Sequence, residues 1–181
     1  MDLDDQLRRV SKGEIAALHE IYKEMRVPVF AVALAIVRNQ PLAEDVQQET
    51  FLKLYERANQ YRMGTNPKAW ILSIARNLAY DRLRQTIRQS YTQIEDSTKA
   101  DPDPALMQIE LMDTLGQLEE TDRLIIILHV ISGFKHHEIG KELGLPPGTV
   151  RWRYRRSLSK LANSLGGEGY AAKPAAIHAK K

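Results

Sequence analysis

Hydrophobic residues in the first half of the chain recur at the three- and four-residue spacing of α-helices. One such stripe comprises Ile15, Leu18, Ile21, Tyr22 and Met25. Residues 29–37 are apolar on nearly all sides, as expected of a buried helix. The pattern continues with a helix that begins near Ala43 and another that begins at Pro67, after the capping residue Asn66. Because no alternating strand pattern of useful length is present, the sequence predicts an all-α fold.

A second helical region occupies the later part of the chain. It opens with an amphipathic stripe of Leu106, Ile109, Met112, Leu115 and Leu118. The pattern then predicts a helix over residues 122–131, capped by Thr121. A second helix over residues 135–143 is closed by Gly144, and residues 146–149 open a last helix that extends to about residue 165. Two short helices separated by a tight turn that contains glycine are typical of a helix-turn-helix.

The segment between these regions is polar and contains two Asp-Pro steps, which disfavour helix. Residues 91–112 hold one basic and five acidic side chains, whereas residues 1–90 hold 14 basic and 11 acidic ones. Two basic regions joined by an acidic connector predict two domains and a linker. The predicted organisation is a helical domain over residues 1–90, a flexible linker over 91–108, a helix-turn-helix domain over 109–165 and a flexible tail over 166–181.

The composition excludes several classes of protein. None of the 181 residues is cysteine, which rules out disulfide scaffolds, thiol catalysis and thiolate zinc sites. The histidines lack the spacing of a zinc site, and no phosphate-binding glycine loop stands out, so we expect no metal, no cofactor and no enzymatic activity. The longest apolar stretch, residues 27–37, is too short to cross a bilayer as a helix, and the acidic N-terminus is unlike a signal peptide. We therefore expect a cytoplasmic protein with no membrane insertion.

The predicted last helix carries the most specific chemistry. Its apolar stripe is expected at Val150, Tyr154, Leu158 and Leu161, and the opposite side then presents Arg151, Trp152, Arg155 and Arg156. An arginine fork can bond both O6 and N7 of guanine, a pair worth roughly 1–3 kcal/mol of base discrimination. Thr149 at the helix N-terminus can bond a phosphate. The pattern favours duplex DNA binding over a solvated basic face, with Trp152 either stacking on the DNA or packing within the domain.

Four blocks of sequence, in their order and spacing, resemble the extracytoplasmic-function (ECF) sigma factors, the group-four transcription initiation factors of bacteria. The blocks lie at residues 42–55, 66–84, 133–140 and 145–151. The resemblance implies two helical domains on a flexible linker. The first would bind core RNA polymerase and melt and recognise the minus-ten promoter element, and the second would recognise the minus-thirty-five element as duplex. It also implies contacts to the polymerase β′ coiled coil and β flap, and an inhibitory anti-sigma factor.

The resemblance assigns roles residue by residue. The β′ coiled coil would be met by Asp45, Gln48 and Glu49, for which an ordinary solvated helix face is the alternative. The minus-ten element would be bound by Tyr61, Arg62, Met63, Asn66, Lys68, Arg76 and Asn77, with the loop over residues 61–66 capturing an unstacked base. Minus-thirty-five bases would be met by Arg151, Trp152 and Arg155, and phosphates by Arg153 and Arg156. Trp70 would be either a core anchor or a wedge between bases.

Some positions depart from the family's pattern or leave alternatives open. Trp152 replaces a small polar residue, Tyr154 an aliphatic one and Gly140 the common alanine. The linker acids either mimic RNA charge near the polymerase active site or are merely solvated. A free-standing helix-turn-helix regulator that binds duplex DNA without polymerase is the alternative function. A helical scaffold that binds no DNA would leave the arginines of residues 151–156 unexplained.

Overall fold

The computed structural model describes residues 2–92 and 115–164, and every regular element within these ranges is helical. In chain order the elements are α1 (Leu3–Val10), α2 (Ile15–Val37), α3 (Gln40–Arg57), a 3-10 turn (Ala58–Gln60), α4 (Pro67–Thr92), α5 (Glu120–Val130), α6 (His136–Leu143) and α7 (Pro147–Ser164). The all-α prediction is confirmed. The linker beyond residue 92 with its acidic residues, the stripe over residues 106–112 and the tail lie outside the described residues.

Helix α2 is the centre of the first domain and contacts α1, α3 and α4. It runs unbroken through Pro28 and joins the stripe over residues 15–25 to the buried stretch over residues 29–37. Its buried residues include Ile21, Met25 and Val29. Two members of the predicted inward stripe point outward instead, since Ile15 is 70% exposed and Tyr22 41% exposed. The apolar stripe over residues 15–25 is therefore narrower than predicted. The prediction that residues 29–37 lie in a buried helical segment is confirmed.

Asparagine side chains begin two helices of this domain. The Asn39 Oδ1 accepts the Leu42 N–H at 2.9 Å, so α3 begins at residue 40 and not near Ala43. The Asn66 Oδ1 accepts the Ala69 N–H at 3.0 Å. The predicted cap at Asn66, with proline at the first helical position, is confirmed.

Helices α5, α6 and α7 form the second domain. Helix α5 begins at Glu120, two residues before the predicted start, and its capping position is Glu119 instead of Thr121. Gly144 ends α6 in the left-handed conformation at φ 67°, as predicted. A Cβ atom at Gly140 would lie 2.5 Å from the main-chain oxygen of Leu145. The tight approach of the turn to α6 explains why glycine stands where the family pattern has alanine.

The two domains pack against each other through α2 and α5. Buried apolar residues of both domains belong to one cluster, with Leu124 and Leu128 of α5 near Val32 of α2 and Leu72 of α4. A second, smaller cluster inside the helix-turn-helix domain comprises Leu115, Leu118 and Ile126. The described residues thus form a closed arrangement in which α4 faces the second domain.

Candidate nucleic-acid interface

The outer face of α7 presents the predicted cationic side chains to solvent. Arg151, Arg155 and Arg156 are exposed, and Trp152 is 58% exposed. The Cζ atom of Arg156 lies 5.3 Å from the centroid of the Trp152 ring, a cation–π distance. Trp152 therefore does not pack in the domain interior, and its ring is available to a ligand. Thr149 lies in the first turn of α7 and is half-buried.

The inner face of α7 differs from the predicted stripe at one position. Val150 and Ser157 are buried, and Tyr154 and Leu161 are half-buried, whereas Leu158 is 41% exposed. The helical period explains the difference. A position eight residues after Val150 is rotated by about 80° from it, but a position seven residues later is rotated by only about 20°. Ser157 therefore occupies the inward place that the sequence suggested for Leu158.

Arg153 also lies on the inner side of α7. Its Nη1 donates to the Asp122 Oδ1 at 2.7 Å and to the Glu119 Oε2 at 3.3 Å. The Asp122 side chain is completely buried, and its hydrogen bond is the main cause that raises the pKa of Arg153. The structure therefore gives this guanidinium a different partner from the phosphate that the resemblance assigned to it, and ties α7 to the start of α5.

An aromatic cluster supports α7 from behind. The His129 and His136 rings stack with centroids 4.6 Å apart, and Tyr154 packs on both at 4.6 and 5.2 Å. Tyr154, which stands where the family pattern has an aliphatic residue, thus contacts two imidazole rings. Burial, followed by the charges of His129, Arg151 and Arg155, lowers the pKa of His136.

The loop over residues 61–66 is anchored from within the first domain. Tyr61 is 6% exposed, its ring lies 5.3 Å from that of Trp70, and its hydroxyl donates to the Asp4 Oδ1 at 2.7 Å. The same Asp4 oxygen accepts the Gly64 N–H at 3.0 Å. Tyr61 is therefore an internal support of the predicted base-capturing loop, whereas Arg62 and Met63 are exposed. The half-buried Trp70, packed on Tyr61, fits the core-anchor alternative.

Three of the four predicted contacts at the start of α4 and along it already have partners within the chain. Lys68 pairs with Glu24 at 3.3 Å, and Asn66 Nδ2 donates to the Glu138 Oε1 at 3.3 Å. Arg76 donates to the main-chain oxygen of Glu142 in α6. Asn77 is exposed beside it.

Helix α4 also contacts the second domain through Tyr80, whose hydroxyl donates to the Glu120 Oε1 at 2.6 Å. Burial, followed by this carboxylate, raises the pKa of Tyr80 to about 12. The sequence contained no signal for these partners, nor for Asp4, because each lies at least 40 residues away along the chain.

The predicted polymerase-binding face lies on α3. Asp45 and Gln48 are exposed, while the half-buried Glu49 is held by Arg82 of α4 at 2.6 Å. Glu49 and Arg82 line an open groove together with Leu78, Asp81 and further residues of α4. No group of three or more His, Asp or Glu side chains that could hold a metal ion occurs in residues 2–92 and 115–164.

Comparison with known proteins settles the family. The Sigma-70 region 2 model matches residues 21–89, and the Sigma-70, region 4 model matches residues 108–161. The RNA polymerase sigma factor CarQ of Myxococcus xanthus is 33% identical over 167 residues, which cover 88% of this chain and 95% of CarQ. The ECF RNA polymerase sigma factor SigW of Bacillus subtilis is 27% identical over 182 residues, covering 91% of this chain and 97% of SigW. The chain belongs to the ECF sigma factor family.

Solved structures show the same fold as this sigma factor. CnrH, in complex with the cytosolic domain of CnrY, superposes with a TM-score of 0.69 at 23% identity, covering 91% of this chain and 98% of CnrH. The sigma factor RpoE of Bartonella quintana, in complex with the anti-sigma factor NepR, gives a TM-score of 0.65 at 25% identity, covering 82% and 98%. As a sigma factor, the protein binds core RNA polymerase and directs promoter recognition, DNA melting and transcription initiation.

Proposed function

We propose that this sigma factor recognises the minus-thirty-five element through the outer face of α7 and captures the melted minus-ten strand with the loop over residues 61–66 and the first half of α4. The observation that carries the proposal is the separation of arginines on α7. Arg151, Arg155 and Arg156 are exposed on one side, and Arg153 is held inside by Asp122. A helix whose exposed arginines lie on one face is suited to a single DNA groove.

On the duplex, the two kinds of contact have different effects. Arg151 and Arg155 lie one turn apart on the exposed face and bond base edges in the major groove. Arg156 contacts a phosphate, and Trp152 beside it lies against a sugar or a thymine methyl group. Base contacts provide sequence preference, whereas phosphate contacts provide affinity and salt dependence.

On the melted strand, the exposed loop residues Arg62 and Met63 receive an unstacked base. Arg76 and Asn77 lie about 12 Å further along α4 than Lys68, at a rise of about 1.5 Å per residue, and hold the backbone of the strand. Tyr61 acts from below the loop, since its ring is packed on Trp70.

The closed arrangement of the domains keeps part of this surface occupied. Arg76 and Asn66 are engaged by Glu142 and Glu138 of the second domain. Melted DNA therefore binds after the domains have moved apart, which core polymerase favours by holding each domain on a separate surface. The free chain is then a poor DNA binder, and promoter binding depends on the holoenzyme.

The protein partners follow from the same surfaces. Asp45 and Gln48 on α3 meet the polymerase β′ coiled coil, with Glu49 fixed by Arg82 as their neighbour, and the second domain meets the β flap. CnrH and RpoE are each solved with a protein partner, which supports an anti-sigma factor as an inhibitor of this chain. The proposed site of action is the bacterial cytoplasm, where the polymerase performs the chemistry and the sigma factor contributes no catalysis.

Transcription in vitro with purified core polymerase on a genomic promoter library tests the proposal. We expect promoter-dependent transcripts that share two sequence elements, and loss of the upstream preference when Arg151 and Arg155 are both replaced by alanine. The control is the variant Lys160→Ala, which removes an exposed cation further along α7. Specific sub-micromolar duplex binding by the chain alone, with no promoter-dependent transcript from any core enzyme, would instead indicate a free-standing helix-turn-helix regulator.

A further inference from the structure

Asp4 lies on the N-terminal helix α1 and contacts the loop over residues 61–66 at two points. A single carboxylate oxygen, Oδ1, accepts the Tyr61 hydroxyl at 2.7 Å and the Gly64 N–H at 3.0 Å. These two residues flank Arg62 and Met63, the exposed side chains that we assign to base capture. One acceptor therefore fixes the loop on both sides of its exposed tip.

The position of Asp4 is itself fixed by the core of the first domain. Leu3, Leu7 and Val10 of α1 are at most 5% exposed and pack in the main hydrophobic cluster. Asp2 caps the helix by accepting the Asp4 N–H at 3.0 Å. A carboxylate mounted on a packed and capped helix is a rigid acceptor.

The loop has the properties of a segment that needs such an acceptor. Gly64 adopts a left-handed backbone with φ 77°, and a side chain at this position would point into open space. The Gly64 N–H has the Asp4 carboxylate as its partner. At the other end of the loop, Tyr61 is buried on Trp70, and burial, with a further contribution from Asp4, raises the pKa of its hydroxyl. The hydroxyl therefore keeps its proton and donates at neutral pH.

We propose that Asp4 is a positioning residue for minus-ten recognition, which holds the loop over residues 61–66 in the shape that receives the flipped base. The inference rests on the proposed function of this loop. A flipped base must recover its lost stacking from contacts in the protein. A loop that is ordered before binding loses less conformational entropy when the base arrives, and presents the same contacts to every promoter. Asp4 thus acts through the loop and need not touch the DNA.

Three variants separate positioning from simple stabilisation of the domain. Asp4→Ala removes both hydrogen bonds, whereas Asp4→Asn keeps an Oδ1 that can accept both. Tyr61→Phe removes one donor and keeps the ring on Trp70. Asp5→Ala is the matched control, because Asp5 is on the same helix and pairs locally with Arg8. Each variant is assembled with core polymerase, and holoenzyme formation and thermal unfolding are measured alongside.

The readout is open-complex formation on promoters that carry each of the four bases at the captured minus-ten position, as duplex and as a pre-melted bubble. For Asp4→Ala we expect open-complex formation on the promoter with the preferred base to fall about tenfold, a change of about 1.4 kcal/mol. The ratio of open-complex formation with the preferred base to that with each other base should move toward one. Asp4→Asn and Asp5→Ala stay within about twofold of the unmodified protein, and Tyr61→Phe is intermediate. The base preference of Asp4→Ala should also change on the pre-melted bubble, because the base is captured after the strands have separated.

Two outcomes would overturn the inference. One is an Asp4→Ala variant with the base preference of the unmodified protein. The other is an equal loss for all four bases that tracks a lower unfolding temperature and that Asp4→Asn shares. Failure of the unmodified holoenzyme to discriminate at any minus-ten base would overturn the proposed function of the loop together with this inference, so the two failures are distinguishable.

Discussion

Arg76 of α4 donates a hydrogen bond to the main-chain oxygen of Glu142 at the end of α6, and its Nη1 lies 4.0 Å from the Glu142 carboxylate. A side chain assigned to the melted strand is thus bound to the domain assigned to the duplex. Burial raises the pKa of the Glu142 carboxyl, and the Arg76 charge opposes that change. In the closed arrangement this cation is shared with α6, so DNA must compete for it.

Loosening the contact between the domains is expected to improve DNA binding by the free chain. Tyr80→Phe removes the hydrogen bond to Glu120 and keeps the ring. The closed arrangement then loses about 1 kcal/mol, which permits up to about fivefold tighter binding of a labelled minus-ten single strand. Fluorescence polarisation measures this on the free protein, with binding by the holoenzyme, in which we propose that the domains are already apart, as the control. Weaker binding of the single strand by Tyr80→Phe would contradict the proposal that the closed arrangement opposes DNA binding.

Replacing Arg151 or Arg156 of α7 with alanine is expected to change DNA binding in two different ways. Arg151→Ala removes the base contact that we propose, so preference at one minus-thirty-five position should relax by roughly 1–3 kcal/mol. Arg156→Ala removes the proposed phosphate contact, so all sequences should be bound more weakly and the slope of log affinity against log salt should fall by about 0.9. Holoenzyme binding to specific and scrambled promoters over a salt series distinguishes them. Equal losses on both promoters for both variants would argue against the division.

Arg153→Ala is expected to destabilise the protein, although the residue sits in the same arginine-rich segment. The Asp122 side chain is completely buried, and its Oδ1 lies 2.7 Å from the Arg153 Nη1. Removing Arg153 leaves the buried Asp122 charge without compensation, and because the Arg153 side chain is 26% exposed the unfolding free energy should fall by about 3 kcal/mol, the low end of the range for fully buried pairs. Chemical denaturation checks this, with the exposed Arg155→Ala as the matched control. If Arg153→Ala left the stability unchanged and weakened DNA binding, the result would favour the phosphate contact that the family resemblance implied for Arg153.

Glycine at position 140 is expected to be required by this turn. Gly140→Ala places a Cβ 2.5 Å from the Leu145 main-chain oxygen, and backbone cannot move as cheaply as a side chain. The cost should be roughly 1–3 kcal/mol of unfolding free energy. Gly148→Ala is the control, since a Cβ at that position would have no atom within 4 Å. Thermal unfolding of both variants decides, and equal stability of the two would show that the turn can relax.

The histidine pair behind α7 predicts a loss of stability in mild acid. Because the pKa of His136 is lowered in the folded state, the folded protein binds fewer protons than the unfolded chain. The contribution of neutral His136 to the free energy of unfolding is complete above its pKa in the unfolded chain, about 6.5. It is lost as the pH falls through the lower pKa of the folded state. The facing groups are His129 of α5 and Tyr154, Arg151 and Arg155 of α7.

Denaturation between about pH 5 and pH 8 measures this effect. His136→Gln should flatten the acid limb of the stability curve, while the exposed His137→Gln leaves it as in the unmodified protein. An acid limb that persists in His136→Gln would place the titration elsewhere in the chain.

Local patterns in the sequence predict much of the fold. The Asn66 cap, the glycine that ends α6 and the exposed arginines of α7 depend on neighbours within a few residues, so spacing and turn chemistry identify them. The partners of Arg153 and Tyr61 lie 31 and 57 residues away, and no local pattern indicates them. The support of the loop by Tyr61 was not foreseen for this reason, and its role at the minus-ten element stays a prediction. The prediction for Leu158 is wrong because a spacing of eight residues leaves the helix face that a spacing of seven keeps.

The packing of the two domains is also beyond the sequence pattern. The sequence predicts a helix over residues 122–131, but nothing in its spacing indicates that this helix packs on α2 across the chain. Charges on α4 predict a nucleic-acid surface without revealing that Glu138 and Glu142 contact part of it. Such contacts depend on how the two domains dock, which periodicity within each domain does not encode.

The most direct test is a footprint of the reconstituted holoenzyme on a promoter selected from the genomic library, combined with permanganate probing of unpaired thymines. The account predicts protection of an upstream duplex element that Arg151→Ala weakens, together with reactive bases at a downstream element, both only when core polymerase is present. Protection of the same duplex by the chain alone, unchanged by added polymerase and without any unpaired base, would contradict it.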